Sequence, residues 1–218
     1  MTELLLVRHG ETSWNAQRRL QGHRDIALNS VGLEQAQAVA TALKNVAIDA
    51  IICSDLQRAQ QTAQAIAQYH TLICQIQPEL RERSFGGFEG HLIAELETLF
   101  PSHYAAWRAH EVDSQFPPNA AGEFTGESVR QFHQRIENAL VTLAHQYPQQ
   151  TIVVVAHGGV LECAYRIARQ LSLDAPREVS MLNASINRFE LQATAQGLKL
   201  SLIEWGDVRH LEKSLDEV

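Results

Sequence analysis

Two apolar runs end in the same kind of residue. Leu4-Leu5-Leu6-Val7 stops at Arg8-His9-Gly10, and Thr151-Ile152-Val153-Val154-Val155-Ala156 stops at His157-Gly158-Gly159. A third run, Ala50-Ile51-Ile52-Cys53, ends at Ser54 with Arg58 one helical turn beyond, and Glu82 sits in a charged loop further on. Together these side chains suit phosphoryl transfer. A neutral imidazole is a competent nucleophile toward phosphorus and splits one difficult step into two through a phosphoramidate, a role that His9 fits. Arginine offers a planar fork that binds two phosphate oxygens at once, which Arg8 and Arg58 can do. An alkoxide leaving group needs a proton, and the same acid, once ionised, can take a proton from the water that clears the phosphoenzyme; Glu82 is the candidate. His157, with the amides of Gly158 and Gly159 at a helix start, can help to hold the transferring oxygens.

Each residue alone has a plainer reading. One histidine at a strand end is ordinarily a satisfied structural group, Arg58 can be a solvated helix arginine, and Glu82 between Arg81 and Arg83 can be a surface ion pair worth little. Convergence is what changes the reading: in open α/β sheets, groups at the carboxyl ends of parallel strands meet in one crevice. The histidines His70, His91, His103, His110, His133 and His145 show no ligand spacing, and there is no HExxH or phosphate-binding GxxxxGK[ST] loop. No metal and no cofactor are therefore expected, with histidine and arginine supplying the electrostatic stabilisation.

The elements that must position these groups follow from periodicity. The three apolar runs are short enough, and apolar enough on both faces, to be buried parallel strands. Between the first two, Leu33, Ala36, Ala40 and Leu43 recur at helical spacing after an N-cap at Asn29 or Ser30. A helix over Leu56–Tyr69 follows the second strand, and Leu72–Ile76 is a third strand candidate closed by Pro78. Glu127–Tyr147 reads as an amphipathic helix, Val160–Leu171 as another, and Ile186–Leu191 and Leu198–Trp205 as a hairpin turning near Gly197. Alternating strands and helices predict a three-layer α/β/α sandwich around a mostly parallel central sheet, with the hairpin as an antiparallel edge. The rhythm breaks between about 91 and 126, where Phe100, Tyr104 and Trp107 lead into Pro117-Pro118; one domain over 1–218 with a lid-like insertion there is expected.

Composition bounds the partners. The chain has 218 residues, 45% of them apolar and 20% charged, enough for a sizeable core. A net charge of -7 gives no general attraction to nucleic acid or to an anionic membrane, and no apolar run approaches the roughly 20 residues of a membrane span. A small-molecule anion bound by a local cationic pocket is the expected ligand. Cys53, Cys74 and Cys163 lie in apolar runs without CxxC spacing and read as small buried hydrophobes in a reducing compartment; with no basic or long apolar leader, a cytoplasmic location is expected. The exposed edge of the terminal hairpin could accommodate a homodimer.

The stretch Leu6-Val7-Arg8-His9-Gly10-Glu11-Thr12 with Trp14-Asn15 closely resembles the signature of the histidine phosphatase, or phosphoglycerate mutase-like, superfamily. The resemblance continues through Gln21-Gly22, Ser54-Asp55-Leu56-Gln57-Arg58-Ala59, Leu80-Arg81-Glu82, Gly126-Glu127-Ser128 and Val155-Ala156-His157-Gly158-Gly159, and is weakest from about 91 to 124. It implies a phosphorylated His9, phosphoryl contacts from Arg8, Arg58 and His157, a proton donor at Glu82, and a pocket lined by Asn15, Gln21, Gly22 and the backbone at Gly158. Phe85-Gly86-Gly87-Phe88-Glu89-Gly90 and Ala156-His157-Gly158-Gly159-Val160 resemble the phosphatase branch rather than cofactor-dependent mutases. The resemblance therefore implies a histidine acid phosphatase-like phosphoric monoester hydrolase, with phosphoglycerate mutase as the alternative and an inactive phosphate- or protein-binding module as a lesser one.

Overall fold

The computed structural model of the chain describes residues 1–195 and 197–211. Its elements run β1 (Thr2–Arg8), α1 (Ser13–Ala16), α2 (Ser30–Leu43), β2 (Ala50–Cys53), α3 (Gln57–Ala67), β3 (Cys74–Ile76), α4 (Leu96–Leu99), α5 (Pro101–Arg108), α6 (Val129–Gln146), β4 (Thr151–Ala156), α7 (Gly158–Arg169), β5 (Ile186–Thr194) and β6 (Gly197–Asp207). The strands form one sheet in the order β3-β2-β4-β1-β5-β6. Neighbours β3, β2, β4 and β1 pair in parallel, while β5 runs antiparallel to both β1 and β6. This is the expected mostly parallel sheet with an antiparallel hairpin at one edge.

Strand alternation builds the two cores. Leu4, Leu6, Ile152, Val154 and Ala156 point toward α6 and α7, where Phe132, Ile136, Leu140 and Leu161 meet them. Leu5, Val7, Ile51, Cys53, Val153 and Val155 point the other way, onto Val39, Ala40, Ala59, Ala63 and Ile66 of α2 and α3. Because both faces are covered, the central strands are apolar throughout rather than alternating. A third, smaller core joins the insertion to the rest: Leu96, Phe116 and Trp107 pack around Leu20 and Phe88.

Several boundaries differ from those read in the sequence. The third strand starts only at Cys74, and Ile73 is 88% exposed, since this edge strand has a partner on one side alone. Leu33 is also exposed; the inner face of α2 is instead Gly32, Gln35, Ala36, Val39, Ala40 and Leu43. The helix turns that way because Gly32 packs backbone to backbone against the loop after β1: a Cβ on Gly32 would lie 2.0 Å from the Glu11 carbonyl oxygen. Cys53 and Cys163 are buried as expected, whereas Cys74 is only half-buried. Among the described residues no helix is long and apolar enough to cross a membrane.

Candidate active site

A cavity of about 430 Å³ opens at the carboxyl ends of β1 and β4, the two central parallel strands. Eight of the nine residues singled out in the sequence line it: Arg8, His9, Asn15, Gln21, Gly22, Arg58, Glu82 and Gly158. The ninth, His157, is fully buried behind them, its ring centroid 5.2 Å from that of His9.

His9 is the first residue beyond β1. Its Nδ1 lies 2.7 Å from the Gly10 carbonyl oxygen, which can only accept, so Nδ1 carries the hydrogen and Nε2 keeps its lone pair. The loop is held from several sides. The Gly10 amide donates to Thr62 Oγ1 at 3.1 Å, and the His9 carbonyl accepts from Asn183 Nδ2 at 3.0 Å and from the Ala184 amide at 3.2 Å. Burial, with Arg58 and Arg8 nearby, holds the His9 pKa well below the usual histidine value, so the ring is neutral at neutral pH.

Two guanidinium groups flank it. Arg8, 3% exposed, donates from one terminal nitrogen to the Met181 carbonyl, while its Nε is buried without a partner. Arg58 donates to the carbonyls of Arg24 at 2.8 Å and Gly22 at 2.9 Å, and from Nε to His157 Nδ1 at 3.3 Å. Burial lowers both arginines to about 10, which leaves them protonated at neutral pH. An unpartnered buried donor beside a second buried cation is costly unless an anion completes it.

His157 has both ring nitrogens engaged. Nδ1 accepts from Arg58, so Nε2 carries the hydrogen and donates to Ser54 Oγ at 2.7 Å. Its pKa is likewise held well below the ordinary value, chiefly by burial and then by Arg58. In this arrangement the two ring nitrogens of His157 meet Arg58 and Ser54, and the ring does not line the cavity, whereas a direct contact with the transferring oxygens is expected from the sequence.

Glu82 enters from the loop after β3. Its Oε1 accepts from the Arg83 amide at 2.7 Å and its Oε2 from the Gly159 amide at 3.0 Å. The Gly159 amide thus goes to Glu82 rather than to a bound anion. A glycine is required there because a Cβ would lie 2.2 Å from Glu82 Oε1. Arg135 of α6 fixes this loop: it pairs with Glu127 at 2.6 Å and donates to the carbonyls of Glu79, Arg81 and Glu82.

The remaining wall is set by local chemistry. Thr12 and Asn15 form a capping box at α1, in which Asn15 Oδ1 accepts from the Thr12 amide at 3.0 Å; this leaves the Nδ2 donors of Asn15 for the cavity. Gly22 has φ +51°, and its carbonyl receives Arg58. Glu11 is not a cavity residue; it accepts from Asn29, the N-cap of α2. From the insertion, Trp107, Arg108 and His110 form the outer wall, and Arg83 lies 4.7 Å over the Phe116 ring. Tyr104 packs in the small aromatic core and Phe124 is 68% exposed, so neither reaches the cavity. Among the described residues no group of three or more His, Cys, Asp or Glu side chains is placed to hold a metal ion.

Sequence reasoning passed over Arg135, Met181 and Asn183. Thr62 belongs to the stretch after Arg58 that carries the family resemblance, but its bond to the Gly10 amide has no sequence signal. Arg135 looks like any exposed helix arginine, and Met181 and Asn183 lie in an irregular segment more than 170 positions from the loop they support.

Comparison with known proteins agrees with this geometry. The family model of the histidine phosphatase superfamily (branch 1) matches residues 4–203. Phosphoglycerate mutase-like protein 4 of Arabidopsis thaliana is 39% identical over 214 residues, covering 97% of this chain and 88% of that protein. Metal-independent phosphoserine phosphatase of Arabidopsis thaliana is 38% identical over 215 residues, covering 97% and 84%. Among solved structures, phosphoserine phosphatase from Entamoeba histolytica, in complex with 3-phosphoglyceric acid, superposes with a TM-score of 0.80 at 29% identity, covering 96% of this chain and 99% of that one.

Proposed function

Because the chain belongs to the histidine phosphatase superfamily, whose relatives here are phosphatases and phosphoglycerate mutase-like proteins, we propose that it is a phosphomonoesterase acting on a small phosphorylated metabolite through a phosphohistidine on His9. The observation that carries this reading is the buried Arg8 Nε without a partner, on the wall of a cavity that also presents His9 with a free Nε2 lone pair and the Arg58 guanidinium.

The steps balance with the residues in place. His9 Nε2 attacks phosphorus, the bond from phosphorus to the ester oxygen breaks, and the leaving oxygen takes a proton from Glu82. Both Glu82 oxygens accept from backbone amides, which hold the carboxyl group at the cavity wall. Water then attacks the phosphohistidine, Glu82 takes the water's proton, and inorganic phosphate leaves. Arg8 and Arg58 hold the equatorial oxygens, Asn15, Gln21, Gly22 and Gly158 complete the cradle, and His157 keeps Arg58 oriented. In this reading no metal takes part, and the 91–126 segment acts as the lid whose outer wall selects the organic moiety.

Mutase activity is the second reading, favoured by the name of the 39% identical relative. It would use the same groups but return the phosphoryl to product, which requires water to be kept from the phosphoenzyme. Release of inorganic phosphate from a panel of small esters, phosphoserine and 3-phosphoglycerate included, is to be measured beside phosphoglycerate isomerisation. Phosphate release with negligible isomerisation supports the phosphatase; efficient isomerisation with little release supports the mutase; neither activity, with phosphate still bound, leaves the binding module. A homodimer through the free edge of β6 belongs to the same proposal and is read by sedimentation.

A further inference from the structure

Cys53 and Cys74 are 21 positions apart and share no motif, yet their Sγ atoms lie 2.9 Å from one another. The sheet brings them together. Strands β2 and β3 pair in parallel with Ile51 opposite Cys74 and Cys53 opposite Ile76, so the two thiols project from the same face and meet on the diagonal. A disulfide bond is about 2.05 Å long, so the sulfurs need to approach by roughly 0.9 Å. The two thiols differ in access. Cys53 is fully buried, while Cys74 is half-buried on the edge strand, beside the fully exposed Ile73.

Cys53 is also tied to the cavity. It is the last residue of β2, its carbonyl accepts from the Gln77 amide at 2.8 Å, and the next residue is Ser54, whose Oγ receives His157 Nε2 at 2.7 Å. His157 in turn accepts from Arg58 Nε. A change at Cys53 therefore has a contiguous path, three contacts long, to a guanidinium on the cavity wall.

We propose that Cys53 and Cys74 form a reversible intramolecular disulfide that retunes the phosphate pocket through Ser54, His157 and Arg58. The oxidant class is a small soluble disulfide such as oxidised glutathione. The Cys74 thiolate attacks one of its sulfurs, the glutathione S–S bond breaks, and the first glutathione thiol leaves with the Cys74 proton. Cys53 then attacks the Cys74 sulfur of the mixed disulfide, and the second glutathione thiol leaves with the Cys53 proton. Two protein thiols are oxidised and one glutathione disulfide is reduced to two thiols, so the exchange balances. A hydrogen bond from Cys53 lowers the Cys74 pKa, in keeping with Cys74 as the accessible attacking thiol. Cys163 is an internal control, since it is buried in the core on the opposite face of the sheet from Cys53 and Cys74.

The test incubates the full chain with oxidised glutathione, then counts free thiols and maps peptides without reduction. The proposal expects one free thiol, a linked Cys53–Cys74 peptide, a melting temperature raised by about 5 °C, and phosphate-ester turnover lowered by about tenfold and restored by dithiothreitol. Cys74→Ser should keep basal turnover and lose the response. Three free thiols, a stable mixed disulfide on Cys74, or links only between chains would overturn the site. A linked peptide with unchanged turnover in an active enzyme would overturn the retuning. The thiol count and melting shift do not depend on turnover, so failure of the phosphatase reading would remain distinguishable.

Discussion

Replacing Gly159 by alanine probes Glu82 without touching it. The new Cβ would sit 2.2 Å from Glu82 Oε1 and 2.9 to 3.0 Å from the Phe132 ring. Ordinary contact begins near 3.4 Å, so the carboxylate or the start of α7 must give by about 1.2 Å. Phe132 is buried and closes the other side, so the carboxylate is the group free to move, and its bond from the Gly159 amide is stretched with it. Misplacing a reacting group by about 1 Å can cost on the order of a hundredfold in rate. Alanine is also the better helix former by about 1 kcal/mol, so the fold should not suffer greatly. The expected outcome is kcat/KM on an alkyl phosphate lowered by about 10- to 100-fold, with p-nitrophenyl phosphate, whose phenolate scarcely needs a proton, lowered by about threefold or less. Glu82→Gln should show the same pattern more strongly. Equal losses on the two substrates, or full activity on the alkyl ester, would refute Glu82 as the proton donor.

Other predictions concern charge and hydrogen bonding. His9 and His157 have pKa values held well below the usual one, so below about pH 6.5 the unfolded chain takes up protons that the native state refuses, and stability falls as pH falls. At about pH 5.5 this costs roughly 1.4 kcal/mol per histidine; thermal melts of His9→Gln should lose about half of the pair's contribution, and an unchanged pH slope would contradict the buried neutral assignment. Ser54→Ala leaves the His157 Nε2 donor buried without its partner and should destabilise the fold by about 1–3 kcal/mol in urea unfolding while lowering turnover; a neutral result would remove Ser54 from the account. Chelation with EDTA should leave turnover unchanged, because arginine and histidine carry the electrostatics; strong inhibition reversed by added divalent metal would contradict this.

Much of the fold was legible because the chemistry sits where simple periodicities end. The strand Thr151–Ala156 and the cap at Asn29 are local signals, and the observed elements begin where those residues stand. The polar residues after β1, β2 and β4 were recognisable as one site because parallel strands bring their carboxyl ends together. What escaped depends on partners distant in sequence. That His157 would turn both nitrogens away from the cavity follows from Ser54 Oγ and Arg58 Nε, a packing outcome with no pattern of its own. The same holds for Asn183 on the His9 carbonyl, Arg135 on the Glu82 loop, and the meeting of Cys53 with Cys74. Leu33 shows the opposite failure: it fits the helical period, but the backbone approach at Gly32 rotates it into solvent.

The central claim is the covalent intermediate, and rapid quench of the enzyme with a reactive ester at alkaline pH, followed by peptide mass mapping, tests it most directly. The account predicts one phosphoryl group on the peptide carrying His9, formed before steady-state phosphate release and absent in His9→Ala. Phosphate release at the native rate by His9→Ala, or a phosphoryl group trapped on another residue, would contradict it.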